Sequence, residues 1–130
     1  MQRDGATTTT ERVVVVVDDD PAVRNSLKFS LEVEGYKVRL CRSGDELLHN
    51  SGLPKSGCLV IDYNMPGMNG LELLGALRGS GCSLPAILVT SHPNVSLRQR
   101  VLAAGARFVE KPFLGPALAE AISEALAKQV

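Results

Sequence analysis

The stretch VVVVVDDDP, residues 13–21, joins five consecutive valines to three adjacent aspartates and a proline. Valine is enriched in β-strands, so the apolar run predicts a strand. Three neighbouring carboxylates repel one another, so they are either solvated at a surface or placed beside a cation. The residues that follow the other apolar runs decide between these two possibilities.

The size and charge of the chain limit what it can be. A chain of 130 residues is long enough for one domain with a hydrophobic core and too short to form two comfortably. Its 14 basic and 14 acidic residues cancel, and it has no basic run. We therefore expect no direct binding to nucleic acid and no attachment to an anionic membrane.

The cysteines and the apolar segments indicate a cytoplasmic protein. Cys41, Cys58 and Cys82 form an odd set without CxxC spacing, so we expect buried free thiols in a reducing compartment. No apolar segment approaches the roughly 20 residues that a membrane span needs. Residues 1–11 are polar and predict a flexible leader, which leaves 12–130 as the domain.

Short apolar runs alternate with longer segments of helical period after the leader. Strands are predicted at residues 13–17, 36–41, 58–61, 86–89 and 107–109. Helices are predicted to follow them, beginning near residues 21, 43, 70, 95 and 116, with the last two ending at 104 and 128. Strict alternation of five strands and five helices is typical of a doubly wound α/β domain with a parallel sheet.

Local signals mark the ends and buried faces of the helices. Asp20 is expected to cap the first helix because it precedes Pro21, and Gly35 offers a left-handed residue after its end. Ser43 and Glu46 form a possible capping box at the second helix. The predicted buried stripes are Val23, Leu27 and Leu31; Leu71, Leu74 and Leu77; and Leu118, Ile122 and Ala125.

The residues just after the apolar runs carry the chemistry. Ligands of open parallel sheets bind beyond the carboxyl ends of the strands, so the side chains there share one rim. Clustered carboxylates favour Mg²⁺, while a hydroxyl and an ammonium can hold phosphoryl oxygens. Together these residue types predict a metal-assisted phosphoryl site with a carboxylate as the possible acceptor. The rim residues are Asp18, Asp19, Asp20, Asp62, Thr90 and Lys111.

Each rim residue has an ordinary structural role when it is taken singly. A strand-end aspartate such as Asp62 is often only a helix cap or a turn residue. A lone threonine at a strand end is common in any sheet. Only the joint placement of carboxylates, hydroxyl and ammonium favours a chemical site.

Four segments in order carry a recognisable pattern: VVVVVDDDPAVRNSL, LVIDYNMPGMNGLELL, ILVTSHP and GARFVEKPF. The chain resembles the receiver domain of response regulators in two-component signalling, most closely receivers of the FixJ type. The resemblance covers essentially everything after Arg12. It implies a flavodoxin-like fold whose five-stranded parallel sheet has the strand order 2-1-3-4-5.

The resemblance also implies the roles of the site residues. Asp62 is the phospho-acceptor, and Lys111 pairs with the phosphoryl group. Asp18 and Asp19 hold Mg²⁺, for which Mn²⁺ can substitute, and Asp62 and the backbone carbonyl of Asn64 complete the protein ligands. The phosphoryl group would come from a phosphohistidine of a sensor histidine kinase or of a histidine phosphotransfer protein. Such a domain signals by modifying itself and is not an enzyme with a separate substrate.

A conformational switch is implied as well. Thr90 is the hydroxyl that moves to the phosphoryl group, and Phe108 is the aromatic ring that follows it. The fourth helix, the last strand and the fifth helix would then signal to an unknown protein or to a second copy of the chain. The charged residues of that surface are Arg98, Arg100, Arg107, Glu120 and Glu124. We expect either a stand-alone receiver or a fragment of a longer regulator.

Two other functions stay open. Asp18 and Asp20 form a DxD pair, which resembles the nucleophile and the acid/base residue of haloacid-dehalogenase-type phosphatases. A receiver fold can also serve as a docking module that needs no phosphorylation. The acceptor residue discriminates between a phosphatase and a receiver, because a phosphatase would carry the phosphoryl group on Asp18 and a receiver on Asp62.

Overall fold

The computed structural model of the chain describes residues 12–49, 53–111 and 116–127, along which strands and helices alternate. The strands are β1 (Val13–Val17), β2 (Lys37–Cys41), β3 (Gly57–Asp62), β4 (Ala86–Thr90) and β5 (Arg107–Glu110). The helices are α1 (Pro21–Val33), α2 (Gly44–His49), α3 (Gly70–Gly79), α4 (Val95–Ala103) and α5 (Ala117–Ala127). The predicted alternation is confirmed, and the strand ends differ from the predicted ones by at most one residue. The predicted leader and Lys128 lie outside the described residues.

The strands form one parallel sheet in the order β2-β1-β3-β4-β5, which confirms the predicted order and the flavodoxin-like fold. Val17, the last residue of β1, pairs with Cys41 of β2 and with Ile61 of β3. The next residue of β3, Asp62, pairs with Val89 of β4. Because the strands are parallel and in register, their carboxyl ends meet at one edge of the sheet.

Helices cover both faces of the sheet. One core combines alternate valines of β1 with leucines of α2, α3 and α4. The other combines the remaining valines with apolar residues of α1 and α5. Every residue of β1 is buried, and a strand that is buried on both faces needs an unbroken apolar run. This requirement explains the five valines.

The buried face of α3 differs from the predicted stripe. The helix buries Leu73, Leu74 and Leu77, whereas Leu71 is only half-buried. Repeated steps of three residues fall short of a helical turn of about 3.6 residues, so a stripe through 71, 74 and 77 drifts away from the sheet. The stripes of α1 and α5 are confirmed, although Val23 is half-buried.

The ends of α1 agree with the sequence prediction. The Asp20 carboxylate accepts a hydrogen bond of 2.9 Å from the backbone N–H of Ala22. Gly35 follows the helix with φ +95°, a left-handed conformation that glycine adopts without strain. Asp20 therefore uses its side chain to start α1.

The predicted capping box at α2 forms only in half. Ser43 Oγ accepts a hydrogen bond from the backbone N–H of Glu46, as a cap should. The Glu46 carboxylate, however, accepts from the backbone N–H of Arg42 and not from that of Ser43. A complete capping box forms instead at α3, between Asn69 and Glu72.

The cysteines form no disulfide among the described residues. All three cysteines are free; Cys41 and Cys58 are buried as predicted, and Cys82 is half-exposed. Burial raises the pKa of Cys58 to about 12 and also raises that of Cys41, because an apolar environment disfavours the thiolate. No helix within the described ranges is long and apolar enough to cross a bilayer.

Gly70 allows α3 to begin directly against the sheet. A Cβ at this position would lie 2.6 Å from Leu88 Cδ1, 2.8 Å from the Asp62 carbonyl oxygen and 2.9 Å from the Tyr63 Cα. Two of these atoms belong to the backbone and cannot rotate away. The Gly70 N–H also donates to the Tyr63 carbonyl at 3.0 Å. A side chain at residue 70 would therefore displace α3 from the strand end.

Two glycines of the same helix should respond oppositely to alanine. Gly70→Ala should lower the free energy of unfolding by about 1–3 kcal/mol, because the added methyl group overpacks the contact with β3. Gly75→Ala, with nothing within 4 Å of its Cβ, should raise it by roughly 0.5–1 kcal/mol through helix propensity. Urea denaturation of both variants measures the contrast. Equal effects of the two substitutions would contradict the close approach at Gly70.

Candidate functional site

The predicted rim residues meet at the carboxyl edge of the sheet. Asp18 follows β1, Asp62 ends β3, Thr90 ends β4 and Lys111 follows β5. Asp18, Asp62 and Thr90 are buried, which is unusual for polar side chains. The structure therefore brings the carboxylates, the hydroxyl and the ammonium together, as the sequence predicts.

One ammonium group contacts both buried carboxylates. Lys111 Nζ lies 2.8 Å from Asp18 Oδ2 and 3.5 Å from Asp62 Oδ2. Its side chain is 15% exposed, and those carboxylate residues are 1% and 5% exposed. A charge removed from water must be compensated nearby, and here a single positive charge faces two negative ones. The buried site keeps an excess of negative charge.

This excess shifts the ionisation of the site. Burial, together with the charge of Asp18, raises the pKa of Asp62 to about 6, while Lys111 and the backbone N–H of Asn64 act in the opposite direction. For Lys111, burial alone would lower the pKa, but the hydrogen bond to Asp18 and the charge of Asp62 outweigh it and the pKa is raised. Lys111 therefore stays protonated at neutral pH.

The acidic cluster suits a hard divalent cation. Asp18, Asp19 and Asp62 each offer a carboxylate oxygen, and these oxygens lie within 4.8 Å of one another. Asp19 is exposed, so the cluster opens to solvent on that side. Mg²⁺ binds oxygen ligands and keeps several waters, and an added positive charge would balance the buried carboxylates. The donor set and the charge of the site both fit this ion.

Backbone contacts fix the position of Asp18. Its N–H donates to the Cys41 carbonyl at 3.1 Å, which extends the pairing of β1 with β2 by one residue. Its carbonyl accepts a 2.7 Å hydrogen bond from the Arg24 guanidinium of α1. Its Oδ1 accepts from the Asp20 N–H at 2.9 Å. The sequence analysis missed this role of Arg24, because no pattern around the residue indicates that its side chain binds the Asp18 carbonyl.

Thr90 connects the loop that follows β3 with the segments that follow β4 and β5. Its hydroxyl oxygen accepts hydrogen bonds from Asn64 Nδ2 at 3.0 Å and from the His92 N–H at 3.1 Å. Its carbonyl accepts from the Lys111 N–H at 2.8 Å. Asn64 also donates its backbone N–H to Asp62 Oδ1 at 3.2 Å. The sequence pointed to Asn64 for its backbone carbonyl only, and its side-chain contact with Thr90 is an addition.

Phe108 lies in β5 opposite Leu88 of β4 and is half-buried. The Arg98 guanidinium of α4 lies 5.9 Å from the centre of its ring, within the range of a cation–π contact. Two other charged residues that we expected at a partner surface pair with each other, since Arg107 and Glu124 lie 2.8 Å apart. Some of the charged side chains on the surface of α4, β5 and α5 therefore already have partners within the domain.

The sequence profile of the response regulator receiver domain matches residues 14–123. The chain belongs to this family. The resemblance suggested by the four sequence segments is confirmed. Receiver domains generally bind Mg²⁺ at a cluster of aspartates, and this receiver domain has such a cluster in Asp18, Asp19 and Asp62.

Individual relatives agree with the family. The transcriptional regulatory protein FixJ of Rhizobium meliloti is 38% identical over 104 residues, which cover 79% of this chain and 51% of that protein. The response regulator MprA of Mycobacterium tuberculosis is 42% identical over 95 residues, which cover 72% of this chain and 41% of MprA. The receiver domain thus spans about half the length of these curated relatives or less.

Solved structures share the fold. FixJ-N has a TM-score of 0.84 at 36% identity, and the match covers 94% of this chain and 98% of FixJ-N. The chemotaxis protein CheY4 of Vibrio cholerae has a TM-score of 0.81 at 27% identity, with 89% of this chain and 99% of CheY4 covered.

Neither alternative function gains support. The phosphatase alternative needs Asp20 to act with Asp18, but Asp20 caps α1 and is absent from the acidic cluster, which consists of Asp18, Asp19 and Asp62 among the residues described. The comparisons agree on response regulators. Nothing favours a docking module that works without the site.

Removing the charge of Asp62 should stabilise the metal-free receiver domain at neutral pH. A carboxyl group with a pKa near 6 in the fold and 3.8 in the unfolded chain binds its proton more tightly when folded. Stability is therefore lost as the pH rises through this window, and at pH 7 the ionised group costs about 3 kcal/mol. Asp62→Asn avoids this cost.

Urea denaturation in EDTA between pH 4 and pH 7.5 measures this effect. The stability advantage of Asp62→Asn over wild type should be largest at pH 7 and should shrink to about 0.5 kcal/mol near pH 4, where the folded carboxyl is protonated and the unfolded one is close to its pKa of 3.8. Asp45→Asn, on the exposed face of α2, should shift stability by less than about 0.5 kcal/mol at any pH. An advantage that grows towards acid pH would refute the raised pKa.

Proposed function

We propose that this receiver domain accepts a phosphoryl group on Asp62 and passes the signal on through a change in its α4, β5 and α5 surface. The observation that carries the proposal is the arrangement around Asp62. A buried carboxylate lies 3.5 Å from the Lys111 ammonium and within 4.8 Å of the oxygens of two other aspartates. A carboxylate in such a place is a nucleophile with cationic support for the group that it attacks.

The proposed reaction is an in-line transfer. An Asp62 carboxylate oxygen attacks the phosphorus of a phosphohistidine, the P–N bond breaks, and the imidazole leaves with its electron pair. The product is an acyl phosphate, which water later cleaves to inorganic phosphate and the free carboxylate. The attack needs Asp62 ionised, and with its pKa near 6 most of it is ionised at pH 7. Lys111 neutralises charge on the phosphoryl oxygens.

Three carboxylates and one backbone carbonyl would hold a divalent cation at this site. The carboxylates are those of Asp18, Asp19 and Asp62, and the carbonyl is that of Asn64. The cation would be Mg²⁺, or Mn²⁺ in its place. When bound, the cation supplies positive charge to the transferring phosphoryl oxygens. Asp18 already binds the Lys111 ammonium, so this aspartate would contact both the ammonium and the cation.

The proposed output is a switch that begins at Thr90. Its hydroxyl moves to the new phosphoryl oxygens, and Phe108 follows, which changes the packing of α4 against β5. The donor would be a sensor histidine kinase or a histidine phosphotransfer protein. The receiver of the signal would be a partner protein or a second copy of the chain. The domain would turn over only its own phosphoryl group, and it would extend over residues 12–130.

Labelling with acetyl phosphate tests the acceptor. Wild type with Mg²⁺ should gain one phosphoryl group, which intact mass and phosphate-affinity gels detect. Asp62→Asn should lose the label because its amide is not a nucleophile, and EDTA should abolish labelling of wild type. Asp20→Asn is the matched control, since asparagine caps a helix as well as aspartate does, and it should label normally. A label on Asp18 would instead support a phosphatase.

Thermal melts at increasing Mg²⁺ test the metal site separately. Mg²⁺ should raise the melting temperature of wild type, because a ligand of the folded state stabilises it by about 2.7 kcal/mol at a hundredfold excess over Kd. Asp19→Asn should weaken Mg²⁺ binding by roughly tenfold or more, since it removes a charged ligand. Asp45→Asn should respond as wild type does. A melting temperature that does not depend on Mg²⁺ in wild type would count against the metal site.

A further inference from the structure

Asn64 contacts two different elements of the site with two different groups. Its backbone N–H donates to Asp62 Oδ1 at 3.2 Å. Its side-chain amide donates to Thr90 Oγ1 at 3.0 Å, across a separation of 26 residues. The residue therefore links the loop after β3 to the end of β4, directly beside the Asp62 carboxylate.

Thr90 is held in its present position by these contacts. Its side chain is fully buried, and both lone pairs of its hydroxyl accept hydrogen bonds, from Asn64 Nδ2 and from the His92 N–H. The His92 bond lies within the segment that follows β4, two residues away from Thr90, so it can move with the threonine. The Asn64 bond joins two separate segments and must break if they move apart. Within the described residues, no group accepts the hydroxyl hydrogen, which stays available for a new acceptor.

We propose that the Asn64 side-chain amide is a latch, which holds the Thr90 hydroxyl in its present position until a phosphoryl group arrives on Asp62. The inference rests on the proposed function, since it concerns the movement of Thr90 to phosphoryl oxygens. Because the proposed movement takes the Thr90 hydroxyl out of its present position, it must break the hydrogen bond from Asn64. The latch therefore opposes phosphorylation by the free energy of one partly buried hydrogen bond.

The latch belongs to the Asn64 side chain and not to its backbone. The backbone N–H bonds to Asp62, and the backbone carbonyl is the proposed metal ligand, so substitution of the side chain leaves both groups in place. Asn64 is exposed, so its truncation creates no cavity in the core. Asn64→Ala thus removes the latch while it retains the acceptor, the metal ligands and Lys111.

Binding of beryllofluoride with Mg²⁺, followed by two-dimensional amide NMR, tests the latch. Asn64→Ala should bind about fivefold more tightly than wild type, the factor that corresponds to one ordinary hydrogen bond. The initial rate of labelling by acetyl phosphate should rise in the same direction. Asn25→Ala, the same truncation on the exposed face of α1, should leave the affinity unchanged.

A double-mutant cycle with Thr90 separates the latch from a direct effect on the ligand. In a Thr90→Val background the latch has no hydroxyl to hold, so Asn64→Ala should change the affinity no further. In a Thr90→Ser background, which restores the hydroxyl, the fivefold gain should return. Melting curves establish that each variant folds.

Three results would overturn the latch. They are an unchanged affinity in Asn64→Ala, a weaker affinity, which would mean that the amide binds or prepositions the phosphoryl site, and an equal change in the Thr90→Val background. If wild type showed no Mg²⁺-dependent binding of beryllofluoride, the proposed function would fall, and the latch with it.

Discussion

The ion pair between Lys111 and Asp18 is the interaction on which the site depends. It joins residues 93 positions apart, which directly follow β1 and β5, at 2.8 Å. It depends on the strand order β2-β1-β3-β4-β5, in which strands are added on both sides of β1. In this parallel sheet the carboxyl ends of all five strands lie at one edge. The same ammonium lies 3.5 Å from Asp62. One positive charge thus offsets part of the desolvation penalty of two buried carboxylates. The negative charge that remains can be balanced by another cation.

Much of this arrangement could be predicted from the sequence, because parallel strands impose it. Once the apolar runs are identified as strands, Asp18, Asp62 and Thr90 must lie at one rim. The number of residues between them is not needed to predict that they lie close together. The different role of Asp20 among the three adjacent aspartates could also be predicted from its neighbours. It stands directly before Pro21 and caps α1.

The remaining details depend on contacts that the sequence pattern does not single out. The hydrogen bond from Asn64 to Thr90 depends on how the loop after β3 turns over its own strand, and the two residues are 26 positions apart. The half-formed box at α2 depends on Arg42, which competes with Ser43 for the Glu46 carboxylate. In the first case the partner is distant in sequence, and in the second case two neighbouring backbone N–H groups were chemically suitable and the backbone geometry before α2 selected one of them.

The close packing at Gly70 gives the domain a mechanical asymmetry. Helix α3 begins against the Asp62 carbonyl, carries a complete capping box and buries three leucines. Helix α4 buries only Leu97 and Val101 and exposes Val95 at its first turn. Helix α4 is therefore attached to the sheet by fewer buried side chains than α3 is. If the proposed switch starts at Asp62, α4 can shift at a lower energetic cost than α3, and the change in packing is directed toward the side of the sheet that carries β5.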